Sequence, residues 1–463
     1  MTETPLDPPE RLGRVCAPSG TLLILDGGLL DLWSHDRPPA LPPHHLAAET
    51  HKAKADTARD FRVEGPDARA AGLAFDRSAH PLYAYDVPGD RLDAFQASFD
   101  DFCRERGFQA KLVPLDSRIS HRARADQLLE DGVPENGIEF HGIWAAVATG
   151  LPTDCSLPVL GRRRAADAVF PGRWQEVAVE LLPDAEIVRS ELRGRAAVDE
   201  ARLIFADADA LGDWVHHESL DGLADLAFWG RDAEAAAAVL GAPSLPAEAA
   251  QFGWTDLEVE DARNRARRLE DLKAENDWLY ALDFRPHSHH WQMMAQVRNS
   301  PTDSGVLTLG AAELCLFMTT WGDGLFEAYA DYDAADRLAR VRVLFGSERT
   351  LSLMRKVEDR YFGAGAKLAF ASERCLQDRN CVRFLYREGP DREEDSGWRV
   401  FAGSESDEEV NDPKRVHLVP LWKLMERDDR LAAVFEAPVG SVFERESCAE
   451  DFQPVTDWSP EED

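Results

Sequence analysis

The chain has 463 residues, 44% of them hydrophobic and 12 of them tryptophan, apolar material for roughly two to four domains that fold without covalent staples. Lys and Arg total 52 against 85 Asp and Glu, a formal net charge of −33 at pH 7. Such a surface repels phosphate backbones and anionic lipid heads, so it disfavours direct nucleic-acid binding and suits either plain solubility or a basic protein partner.

After a proline-rich start, residues 21–34 read TLLILDGGLLDLWS, two apolar runs around Asp26-Gly27-Gly28. Asp-Gly between apolar runs predicts a β-hairpin, because both turn positions tolerate positive φ. A phosphate cradle would need a capped helix after the glycines, and residues 29–33 do not resemble one. Residues 37–56 place Pro38, Pro39, Pro42 and Pro43 ahead of His44, His45 and His51, which suggests an exposed loop leading into a short polar helix. A strand is expected at 82–85. Asp90 can cap a helix over 91–106, where Leu92, Phe95, Phe99, Phe102 and Cys103 follow helical spacing and Gly107 supplies the left-handed end. Further strands are expected over 108–113, 138–149 and 174–182.

Asp207, Asp209 and Gly212 with Glu218 partly fit a calcium loop, but Leu211 sits at a ligand position and a strand-like RLIFA precedes them. An acidic helix start with Trp214 and Leu220 packed inward is the better reading. Residues 256–280 are helical, with Thr255 and Glu258 as a capping box and a thin apolar stripe of Val259, Ala262, Ala266 and Leu269. In RPHSHHW, a strand would place His287 and His289 on one face, the best metal candidate in the chain. A third ligand is not fixed; Asp283 and Glu313 are candidates. Residues 305–345 read as a β-meander with strands at 314–320, 325–330 and 337–345, turning at Trp321-Gly322-Asp323-Gly324. Asp323 there is turn chemistry before it is a cation ligand. A helix follows at 351–361, and Gly363 and Gly365 mark a boundary.

Hairpins mixed with intervening helices indicate an α+β chain of several domains, with mixed or antiparallel sheets and flanking helices. The expected divisions are an N-terminal α+β domain at 1–200, a helical segment plus β-meander at 201–365, and a third α+β domain at 366–463.

The most specific stretch is 393–413, EEDSGWRVFAGSESDEEVNDP. Residues 381–387 alternate as a half-buried strand, Asp395-Ser396-Gly397 supplies turn chemistry, and Val400 with Phe401 resumes the strand character. Trp398 carries the largest apolar area nearby, and Gly403 permits a reversal before Glu405, Asp407, Glu408 and Glu409. A short helix is expected at 421–425, an apolar segment at 431–435 and a closing glycine turn at 438–443.

Residues 384–445 resemble an uncharacterised bacterial domain classed among the immunity proteins of polymorphic-toxin systems, immunity protein family thirty-three. The residues that carry the likeness are Tyr386 and Arg387, Asp395 to Trp398, Gly403 and Glu405, Asn411 to Pro413, and Pro438 to Arg445. Ser404 departs from the pattern, which usually has an acid there. The resemblance implies no catalytic residues. More loosely, Trp321 to Gly324, and Pro18-Ser19-Gly20 followed by Asp26, resemble another uncharacterised bacterial domain with Trp-Gly-Asp-Gly between strands.

Cys16, Cys103, Cys155, Cys315, Cys375, Cys381 and Cys448 form no Cys-x-x-Cys pair and read as reduced, scattered thiols of a cytoplasmic protein. The start, MTETPLDPPE, lacks the basic and apolar parts of a signal peptide, and no apolar run approaches the ~20 residues of a membrane helix. The expected function is therefore non-enzymatic protein binding, as an immunity or toxin-associated protein. Trp398 would be the apolar anchor, and Glu405, Asp407, Glu408 and Glu409 an acidic rim that steers a basic toxin face. No cofactor is expected. The alternative is a metal-dependent hydrolase built on the His287 and His289 region.

Overall fold

The computed structural model describes residues 8–34, 57–76, 80–129, 137–140, 143–166, 170–245, 251–377 and 380–458. The loop and polar helix expected over 37–56, with His44, His45 and His51, lie outside the described residues. Two compact units divide the chain, Met1–Gly346 and Ser347–Asp463, and together they are α+β.

The first unit is built on two six-stranded antiparallel sheets. One runs in the order Ser304–Leu309, Ala312–Met318, Arg202–Asp207, Thr21–Asp26, Ile143–Thr149, Ile138–Phe140. The other runs Glu10–Val15, Leu157–Arg163, Trp174–Glu180, Leu338–Leu344, Gly324–Tyr332, Arg189–Val198. Strand pairing therefore crosses residue 200 repeatedly. Phe317 of the first sheet packs on Phe345, which follows the Leu338–Leu344 strand of the second, with ring centroids 6.1 Å apart. Phe326 adds to the same seam at 4.8 Å from Phe345.

Two expectations change here. The hairpin over 21–34 does not form: Thr21–Asp26 is a strand, and a 3-10 turn at Leu30–Leu32 follows it. Both edges of that strand are already paired, with Arg202–Asp207 and Ile143–Thr149. The glycines instead fold back on Asp26, whose carboxylate accepts the N–H of Gly28 at 2.7 Å, of Asp199 at 2.6 Å and of Glu200 at 3.0 Å. The meander over 305–345 likewise splits between the sheets. Trp321 to Gly324 carries the chain from Ala312–Met318 in one sheet to Gly324–Tyr332 in the other. Trp321 is buried at the crossing, its Nε1 donating to Trp174 O at 2.7 Å. Asp323 accepts from Ala201 N at 3.0 Å.

Two three-stranded sheets complete the unit, each backed by two helices. Val259–Asn276 buries Ala262, Ala266 and Leu269 in the cluster behind Leu223–Trp229, Phe252–Glu258 and Ala281–Pro286. The expected capping box is absent, because pairing with Leu223–Trp229 draws Thr255 and Glu258 into a strand. Leu220, expected inside, is 46% exposed, whereas Trp214 is buried. Asp207 ends a strand and accepts from Ser19 N and Ala210 N, with a 3-10 turn after it in place of a calcium loop. Leu92–Arg106 packs Phe99 and Cys103 against Arg59–Glu64, Tyr83–Val87 and Lys111–Pro114, and Gly107 ends it at φ 78°. Arg91, in place of the expected Asp90, occupies the cap position, and its side chain makes no capping bond.

Beside that sheet, Arg124 is buried between Asp60 at 3.0 Å and Asp86 at 2.6 Å. Removing the guanidinium takes from the buried Asp60 its ion-pair partner, while Asp86 keeps Arg118 at 2.5 Å. Arg124→Met is therefore expected to cost about 3 kcal/mol or more, seen as an earlier urea midpoint for the first unit.

The second unit orders its strands Val416–Pro420, Leu368–Ser372, Asp395–Phe401, Phe384–Arg387, Val442–Glu444, Gln453–Pro454. Leu368–Ser372 runs parallel to Asp395–Phe401, and its other neighbour is antiparallel. Helices Leu421–Arg427 and Leu431–Phe435 contribute Leu424, Leu431 and Phe435 to the core with Leu385, Trp398 and Val400. Cys381 and Cys448 form a disulfide, which corrects the reading of seven scattered thiols; Cys16, Cys103, Cys155, Cys315 and Cys375 are free. The bond spans 67 residues of chain, so Cys381→Ser should lower stability by about 2 to 4 kcal/mol. Melting the variant beside the oxidised and the reduced parent checks this, since reduction should erase the difference.

Candidate functional site

The Asp395–Phe401 strand is where the sequence signal concentrates, and its first four residues are held from three sides. Asp395 is buried and pairs with Arg399 through both guanidinium nitrogens at 3.0 Å. Its Oδ1 also accepts Gly397 N at 2.9 Å, and its Oδ2 accepts Asp391 N at 3.2 Å. Ser396 Oγ donates to Leu368 O across the parallel pair at 2.8 Å. Gly397 has φ 80°, and a Cβ there would lie 2.2 Å from Glu388 O. Asp-Ser-Gly is thus the locked start of a central strand, where a free-standing turn was expected.

Trp398 is fully buried in this strand. It packs on Phe435 and Phe443 at centroid distances of 5.5 and 6.3 Å and donates from Nε1 to Phe435 O at 3.3 Å. Its ring cannot serve as an exposed anchor, which corrects that part of the sequence reading. Apolar area of this size is equally suited to a core, and the core claims it.

The four acids that follow divide into two kinds. Glu405 accepts from Ser372 Oγ, from Ala402 N at 2.7 Å and from Ser404 N at 3.0 Å. Burial pushes its carboxyl up, and these bonds together hold it below the ordinary value. Glu409 closes a capping box with Ser406 at the start of the Asp407–Val410 helix. It also takes Arg374 Nη2 at 2.6 and 2.8 Å and Arg415 Nη1 at 3.0 Å. Arg374 above all, then the Ser406 N–H, holds Glu409 down at about 2. Asp407 and Glu408 remain exposed. Glu405, Glu408 and Glu409 line one shallow hollow together with Arg374, Arg415 and Asp412.

Next to this loop the sheet has an open edge. Val416–Pro420 is the outermost strand, and Val416 pairs with Ser372, the residue that holds Glu405. Leu418 on it is 57% exposed and Val410 in the acidic helix is 41% exposed. The only sequence cue was the proline closing an alternating run, a feature of edge strands.

Residues 369–456 match the family model of the Immunity protein Imm33 domain. No curated protein and no solved structure matches the chain. The Imm33 match lies wholly inside the second unit and takes in the locked strand, the acidic loop and the open edge.

The histidine region lies in the first unit and differs from expectation. The strand Ala281–Pro286 ends before His287, and Ser288 caps a helix, His289–Asn299, by accepting from Trp291 N at 3.2 Å. His287 and His289 therefore do not share a strand face. His289 Nδ1 accepts from Val215 N at 2.9 Å. His287 is buried, with Nδ1 facing Asp221 at 3.0 Å, Nε2 facing Asp225 at 3.2 Å and the Trp291 ring stacked at 3.9 Å. Burial lowers its pKa, and the two carboxylates more than reverse that, leaving it raised. Asp225, Asp256 and His287 present ligand atoms within 4.8 Å of one another. A cation there would have to displace the Nε2 proton. Asp283 instead pairs with Arg285 at 2.6 Å, and Glu313 with Arg14 at 2.5 Å.

Arg399 holds Asp395 down from 3.8 to about 2, against burial. A depressed carboxyl contributes its stability above the unfolded value and loses it as pH falls through the folded one. Asp395 should thus contribute about 2 kcal/mol above pH ~4 and lose it towards pH ~2. Asp395→Asn should remove that share at neutral pH and flatten the acid limb of the urea midpoint against pH.

Proposed function

We propose that the chain is an immunity-type protein whose second unit binds and occludes a cognate toxin in a bacterial polymorphic-toxin system. The observation that carries this reading is the Imm33 match over residues 369–456. What supports the particular surface is the division of labour in the acidic loop. Glu405 and Glu409 are occupied in holding the loop to Ser372, Arg374 and Arg415, which leaves Asp407 and Glu408 as fixed, solvent-facing charges. Leu418 and Val410 offer apolar area in the same region, and the outer edge of Val416–Pro420 offers unpaired backbone groups to an added strand. A basic toxin face suits both these charges and the net −33 of the whole chain. Trp398 serves by stiffening the platform from inside.

A cytoplasmic location is part of this proposal and rests on the five free thiols. The Cys381–Cys448 bond is the feature that a reducing compartment would oppose.

The test offers the full chain to the toxin domain encoded beside it in its genome, with association followed optically and toxicity followed on co-expression. Asp407→Lys with Glu408→Lys should slow association by about tenfold at low salt, with a smaller effect at high salt. Leu418→Asp should speed dissociation. A chain that neither binds that toxin nor protects cells expressing it would overturn the reading.

A further inference from the structure

Away from the Imm33-matching region, the three-stranded sheet of Phe252–Glu258, Leu223–Trp229 and Ala281–Pro286 brings three metal-ligating side chains to one place. Asp225 sits on the central strand, Asp256 on the strand to one side, and His287 directly after the strand to the other. Ligand atoms of all three lie within 4.8 Å of one another. Asp225 alternates with Ala224 and Leu226, both in the core behind the sheet, so its side chain stands on the opposite face. A bulge aims its neighbour. Thr255 and Asp256 together oppose Asp225, and Asp256 takes a left-handed φ of 54°, from which its N–H donates to Asp225 Oδ1 at 3.0 Å.

Two of the three are oriented from behind, as metal ligands are. His287 is buried, with Asp221 on its Nδ1 at 3.0 Å and the Trp291 ring stacked on it at 3.9 Å, which leaves Nε2 to face Asp225 Oδ1 at 3.2 Å. A carboxylate on the far nitrogen of a metal-bound imidazole fixes its tautomer and strengthens it as a ligand. Asp225 is steadied in turn by Trp291 Nε1, which donates to Oδ2 at 2.8 Å and so turns Oδ1 toward His287. Two ligands of one zinc ion, each bonded at about 2.0 to 2.2 Å, stand about 3.4 Å apart in a tetrahedron. His287 Nε2 and Asp225 Oδ1 already have nearly that spacing. A shared proton would account for those two atoms and leave Asp256 unexplained. Its carboxylate is exposed and makes no ion pair among the described residues, so it can close on an ion held by the other two. Carboxylates that crowd together repel unless a cation lies between them.

We propose that Asp225, Asp256 and His287 bind one divalent transition-metal ion, of which zinc suits the donors best, with Asp221 positioning His287 through Nδ1. One imidazole nitrogen with two carboxylate oxygens is a mixed set that zinc accepts. Calcium takes six to eight oxygens and magnesium an octahedron of them, so a buried imidazole selects against both. The ion takes the place of the Nε2 proton, which leaves to solvent. Three protein ligands leave a fourth position for water, and solvent reaches the set past the exposed Asp256. Binding cross-links the sheet, since its ligands come from all three strands or their ends.

The experiment strips the full chain with a chelator, then titrates it with zinc and, separately, with magnesium, by calorimetry and by imidazole NMR. In saturating zinc, His287 should lose its Nε2 proton and keep the one on Nδ1, while magnesium leaves its signals unmoved. Asp256→Asn changes an exposed side chain, so it should melt as the parent does yet weaken zinc at His287 by about tenfold or more. Asp221→Asn, which spares all three ligands, should weaken it by about tenfold. A His287 ring that keeps both N–H protons in saturating zinc would overturn the proposal and leave a plain imidazolium bridge between Asp221 and Asp225; heat without any change at His287 counts the same way. So would undiminished affinity in Asp256→Asn, an equal response to magnesium, or no uptake up to about 100 μM zinc. None of these results bears on toxin binding by the other unit.

Discussion

A carboxylate taken out of water must be surrounded by donors, and in a chain with 85 acids against 52 Lys and Arg that requirement shapes both units. Asp26 is met by three backbone N–H groups, and the turn after its strand bends to supply one of them. Asp331 lies fully buried between Arg340 at 2.6 Å and Arg342 at 2.7 Å on the neighbouring strand. Asp60 and Asp86 share Arg124, and Asp395 takes both arms of Arg399. Asp26, Asp331 and the Asp60–Asp86 pair tie separate segments that would otherwise be free to slide, so register in the first unit's sheets is set by charge as well as by apolar alternation, while Asp395 stiffens its own strand.

The same logic sorts the acidic loop of the Imm33-matching region. A dense run of carboxylates looks uniform along the chain, yet its members do different work once folded. Glu405 and Glu409 find donors within the unit and become struts, and Asp407 and Glu408 keep their charge in solvent. A surface intended for recognition gains from this arrangement, because charges on a fixed frame lose less freedom when a partner arrives.

Much of the local structure was legible from periodicity. The helices at Leu92–Arg106, Val259–Asn276 and Glu348–Tyr361 announce themselves through spacing or end signals. What spacing cannot carry is which sheet a strand joins. Ala312–Met318 and Gly324–Tyr332 read as neighbours and part company at Trp321, because the indole finds Trp174 rather than a hairpin partner. Asp395-Ser396-Gly397 misleads in another way: its side chains make the same short-range bonds that a turn would use, inside a strand. Trp398 was ambiguous in principle, since a large ring serves a core or an interface equally well. At His287 the period of two was applied where Ser288 starts a helix.

The order of strands in the first unit also bears on how the chain comes off the ribosome. Glu10–Val15 waits for Leu157–Arg163, and Thr21–Asp26 for Arg202–Asp207. Trp174–Glu180 and Arg189–Val198 in turn wait for strands that end at Leu344 and Tyr332. One large sheet cannot close until the chain has been made past Met318, and the other until it has passed Leu344. Non-local pairing of this kind folds slowly and leaves strand edges open during synthesis. A nascent chain with an excess of negative charge repels its own copies through that interval, which gives the acidity a use in translation quite apart from any partner.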